Sequence, residues 1–221
     1  METTTITMKT MIMGTDKQTY EIKRIWDESK PHCLVLELYP TISIHTCSVG
    51  CMDLSTLHLL NHLYELGDYG SLSVCNLFSK ICTDGKPSAD ELYVDEDNLE
   101  YISNLLDNVS EGTTLILAWG NSLVKHKETM KMKARLLGLI EEKGLEEQTK
   151  SITCAELENG KNNLFHPLFL GIRAKEPWQL QDVSVVDLLK EVSPGKDLSS
   201  KPEEKKKRRQ KGTKAKDDTG L

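Results

Sequence analysis

His166 is followed by Pro167, and the residue before a proline is pushed into extended backbone geometry. That holds the imidazole at a loop, where it can donate a hydrogen bond or shuttle a proton near neutral pH. Asn76 closes an apolar run and is flanked by Val74, Cys75, Leu77 and Phe78. Its amide offers both a donor and an acceptor, the pair that suits the edge of a nucleobase. Trp119-Gly120 closes another run. Glycine there permits close backbone approach or a positive φ, while the indole either stacks on a ligand or fills core, core being the better reading. Tyr39-Pro40-Thr41 brings an aromatic face and a hydroxyl to the end of a third run. Each of these has a plainer alternative: a histidine bonding a carbonyl, an asparagine satisfying loose backbone groups, a tyrosine that simply packs.

The runs that end in these residues are 34–38, 72–75 and 115–118, and a shorter, weaker one precedes His166. Continuous apolar runs of this length read as buried, parallel strands. Open α/β sheets place their ligand sites at the carboxyl ends of such strands. Between them lie helical patterns. One runs from a cap at Asp53 or Ser55 to about Leu66, a second over 98–109, a third over 122–143, and a last from Asp182 or Ser184 to Val192. Residues 3–13 and 19–26, divided by Gly14-Thr15-Asp16, read as an N-terminal β-hairpin. The pattern predicts a three-layer α/β sandwich with a mainly parallel central sheet, one domain over 1–192, and a disordered basic tail over 193–221.

Charge is unevenly spread. The 221 residues carry a net −6, but residues 201–221 hold nine Lys/Arg and four Asp/Glu, a net +5, which leaves −11 for residues 1–200. An acidic body is a poor grip for a nucleic-acid backbone. The arm Lys205-Lys206-Lys207-Arg208-Arg209 is a solvated tail, or a non-specific contact for phosphates. The six cysteines have no Cys-x-x-Cys spacing and read as free thiols. With neither a cationic start nor an apolar stretch of membrane length, the expectation is a cytoplasmic protein. His58 and His62 lack the Glu of a metalloprotease helix, and His45 with Cys47 and Cys51 makes only a thin metal motif, so no metal or cofactor is expected.

Taken in order, Trp26-Asp27, Leu38-Tyr39-Pro40-Thr41, Asn76-Leu77-Phe78, Ala118-Trp119-Gly120 and His166-Pro167-Leu168 resemble the domain-of-unknown-function 1643 family of bacteria and phages, over about residues 20–170. The same order is similar, more distantly, to the uracil-DNA glycosylase superfamily. That likeness implies Asn76 as the amide that reads the base and His166 as the group that steadies charge on the departing base. It also implies Pro40 as the proline of the water-activating loop. Tyr39 departs from both patterns, which place Asn or Asp at or near this position. Loss of such a water-orienting group costs a factor of roughly 10²–10⁴. Glu37 and Asp53 are the nearby carboxylates.

The resulting expectation is a protein that binds a nucleobase, nucleotide or nucleic acid at its strand-end cleft. If it is an enzyme, it is a glycosylase-like hydrolase of N-glycosidic bonds. The expected site is His166 as the catalytic group, with Asn76, Tyr39, Pro40, Thr41, Phe78, Trp119, Gly120 and Pro167 around the ligand. The alternatives are a non-catalytic binder of small or modified nucleotides and a protein–protein adaptor on a degenerate enzyme fold.

Overall fold

The structure is a computed structural model that describes residues 3–44, 53–82, 87, 91–157 and 164–192. The His45, Cys47 and Cys51 motif and the basic tail lie outside the described residues.

Seven strands form one sheet in the order β1-β2-β4-β3-β5-β6-β7. Its centre is parallel: β4 (Ser71–Asn76), β3 (His32–Glu37), β5 (Thr114–Leu117) and β6 (Thr149–Cys154). These are the apolar runs, and they are buried because helices cover both faces. The edges run the other way. β2 (Thr19–Ile25) pairs antiparallel with β4, and β1 (Lys9–Gly14) antiparallel with β2. β7 (Trp178–Asp182) pairs antiparallel with β6. The three parallel ladders lie at the centre and the three antiparallel ones towards the edges, so the expected parallel centre is flanked by antiparallel strands. β1 and β2 are joined by residues 15–18, too short a link for the crossover a parallel pair requires.

Alternation along β3 divides the core. Cys33 and Val35 face α1 (Leu54–Leu66) and α4 (Pro167–Arg173), which contribute Leu59, Leu63 and Leu170. Leu34 and Leu36 face α2 (Glu96–Asp107), α3 (Lys127–Glu142) and α5 (Val185–Val192), with Ile102, Leu136 and Leu188. Each of these buried side chains contributes about 1.5–3 kcal/mol relative to exposure. Helix α3 starts at Lys127, not near Ser122, because Leu123 adopts a left-handed φ of 57° and His126 takes the N-cap position. His166, expected at a loop, is the N-cap of helix α4.

No helix among the described residues is long and apolar enough to cross a membrane. Cys33, Cys75, Cys82 and Cys154 are free thiols.

Candidate functional site

At the carboxyl ends of β3 and β5 lies a cleft of about 580 Å³. Its floor comes from Glu37 and Trp119, and its sides from Tyr39, Thr41, Asp53, Ser55, His166 and the outer face of α4. Each side chain is placed by a local feature of the chain. Asp53 caps α1: one carboxylate oxygen accepts the Thr56 N–H at 2.7 Å, and the other accepts the Thr41 hydroxyl at 2.9 Å. Ser55 follows in the first turn of the same helix. His166 caps α4, with Pro167 in the first turn, where a missing N–H costs nothing.

The proton inventory of His166 follows from that cap. Its Nδ1 accepts the Leu168 N–H at 3.3 Å, so the neutral ring carries its proton on Nε2. The Ser55 hydroxyl oxygen stands 3.3 Å from the same Nδ1. Burial holds the imidazole below its ordinary pKa, with the Asp53 charge opposing the shift, so the ring is neutral at neutral pH. Nε2 lies 3.9 Å from Oε2 of Glu37. Gly120 backs this arrangement with a φ of +65°. A Cβ there would sit 3.0 Å from the His166 Cβ, so the position needs glycine on both counts.

Glu37 is the unusual member. It is 5% exposed, and its Oε1 is buried with no hydrogen-bond partner among the described residues. Burial pushes its carboxyl up to about 8; the nearby Asp53 charge adds to the rise and a hydrogen bond from Ser55 opposes it. A buried carboxyl that changes charge near neutral pH, facing a neutral imidazole in a cleft, is equipped for proton transfer.

The expected site residues do not all meet. Tyr39, Thr41, Trp119 and His166 line the cleft. Pro40, Pro167 and Gly120 are not in its lining. Pro40 and Pro167 are buried, and Pro40 accepts the Cys82 N–H through its carbonyl at 2.9 Å. Asn76 is also absent from the lining, although it is the register partner of Glu37 on the next strand. Asn98 holds its main-chain carbonyl at 2.7 Å, and its own Oδ1 is buried without a hydrogen-bond partner among the described residues. Phe78 is core beneath α2. Among the described residues no group of three His, Cys, Asp or Glu side chains could hold a metal ion.

Residues 19–168 match the family described as protein of unknown function, DUF1643. The chain belongs to the DUF1643 family. No curated protein and no solved structure matches it. The DUF1643 match takes in Glu37, Asp53, Ser55 and His166, and ends before Phe169, Ile172 and Arg173, which form the outer wall of the cleft. Of these residues, the sequence marked Glu37 and Asp53 as carboxylates near Tyr39, without showing that either faces the cleft. Ser55 carried no signal beyond its place at a helix start.

Proposed function

We propose that this DUF1643 protein holds the base of a nucleoside, nucleotide or nucleic acid in the strand-end cleft and hydrolyses the N-glycosidic bond that joins it to the sugar. Glu37 takes the proton of the attacking water, and the Nε2–H of His166 donates to the departing base. The reading rests on one observation: the buried Glu37 carboxyl and the neutral imidazole both line the cleft, 3.9 Å apart. Glu37 thereby occupies the role for which Tyr39 is unsuited, one turn of the strand earlier. A fold of uracil-DNA glycosylase type, with β1 and β2 as its N-terminal hairpin, belongs to the same proposal. So does a nucleic-acid substrate whose phosphates meet the basic tail.

The test is release of free base from nucleosides and from DNA containing deaminated or modified bases. A base catalyst must be ionised, so the rate should climb with pH and level off above about 8. Glu37→Gln and His166→Ala should each lower it by roughly 10²–10⁴. Release that survives Glu37→Gln removes the mechanism. Absence of release, with nucleotides still raising the melting temperature, leaves a non-catalytic binder, for which the Tyr39 ring in the cleft wall speaks.

A further inference from the structure

A second cavity, of about 220 Å³, lies between α3, α5 and the segment after β5. Trp119 borders both this cavity and the cleft. Val124, Met130, Leu164 and Leu188 give it an apolar side, and Asn121, Lys133 and Glu191 a polar one. Lys133 is 5% exposed. Its Nζ stands 5.4 Å over the Trp119 ring, and it makes no hydrogen bond or ion pair among the described residues. Ordinary buried lysines are paired, because an ammonium removed from water is costly.

We propose that Lys133 is a nucleophilic lysine that forms an imine with an aldehyde or ketone small enough for this cavity. The free amine attacks the carbonyl carbon, forming the C–N bond. The carbonyl oxygen takes up the proton lost from nitrogen, and the carbinolamine then expels water to leave C=N. No electrons are exchanged with any other group. Among the described residues no hydrogen bond or ion pair holds Lys133 protonated; the Trp119 ring favours the cation, but burial brings the pKa down to about 8, so a minor yet useful fraction is free base at neutral pH. A carbonyl ligand suits the wall better than an anion does. A buried anion needs several donors, and here there is one amine, with the Glu191 carboxylate also lining the cavity.

The full chain is treated with propanal and cyanoborohydride, which traps imines as secondary amines, and adducts are located by peptide mass spectrometry. At pH 7 the Lys133 adduct should form roughly tenfold or more faster than that of Lys131, and its rate should level off near pH 8. Lys133→Arg, which keeps a cation beside Trp119 but has no nucleophilic amine, should remove this fast adduct. Labelling of Lys133 no faster than Lys131 overturns the proposal. So does fast labelling by formaldehyde with none by propanal, since a reactive amine would then lack a cavity that admits a ligand.

Discussion

Glu37 ties the chemistry of the cleft to the stability of the chain. Its carboxyl titrates at about 8 in the folded state against 4.5 in an ordinary setting, so the folded state binds the proton more tightly. The stability this contributes is complete below pH 4.5 and is lost as pH rises towards 8, by at most about 1.4 kcal/mol per pH unit. His166 works in the opposite sense, since its lowered pKa takes away stability as pH falls. Comparing Glu37→Gln with the wild type isolates the first effect. In urea denaturation, the variant should gain on the wild type steadily from pH 5 to pH 8. A constant difference across that range would mean that Glu37 is not held protonated by its surroundings.

At the level of elements, the N-terminus of α1 sets the charge that Glu37 feels. Asp53 both caps the helix and raises the Glu37 pKa, and these roles separate by substitution. Asn caps as well as Asp but carries no charge. Asp53→Asn should therefore hold stability within about 0.5 kcal/mol while lowering the Glu37 pKa, read by carboxyl carbon NMR. Asp53→Ala should lower that pKa too, and cost about 1 kcal/mol for the lost cap. An unmoved Glu37 titration in the Asn variant would assign the whole shift to burial. The same helix shows where the sequence was legible and where it was not. The strand ends at Leu38, Asn76 and Ala118 could be read because parallel strands buried on both faces need nearly continuous apolar residues, here interrupted only by Ser73 and Glu37. Asp53 could be read as a cap from its place before a helical period. That Glu37 meets His166 could not, because the two are brought together only when α1 and α4 pack on one face of the sheet. Asn76 ends a strand beside Glu37, yet it is not among the residues that line the cleft. Helix α4 and strand β7, at seven and five residues, are too short for a period to declare itself.

For the molecule as a whole, the cleft is as wide as the packing of α1 against α4 allows. Both helices lie on the face of Cys33 and Val35, and they touch where Gly171 meets the His58 ring. A Cβ on Gly171 would fall 2.1 Å from His58 Cγ, so Gly171→Ala must push the helices apart or turn the imidazole out. Overpacking of this kind costs about 1–3 kcal/mol. Because burial is the leading cause of the Glu37 shift, any opening that admits water should also bring its pKa down. Gly138, on α3 across the sheet, serves as the comparison: a Cβ there meets nothing within 4 Å, and alanine in a helix interior is worth up to about 1 kcal/mol over glycine. Gly171→Ala should thus lower both the melting temperature and the Glu37 pKa, while Gly138→Ala leaves the Glu37 pKa alone and holds or raises the melting temperature. A lower melting temperature with an unchanged Glu37 pKa would show that the helix pair yields at His58 without opening the cleft. The burial of Glu37 would then belong to the strand and the cap of α1 rather than to the packing of the two helices.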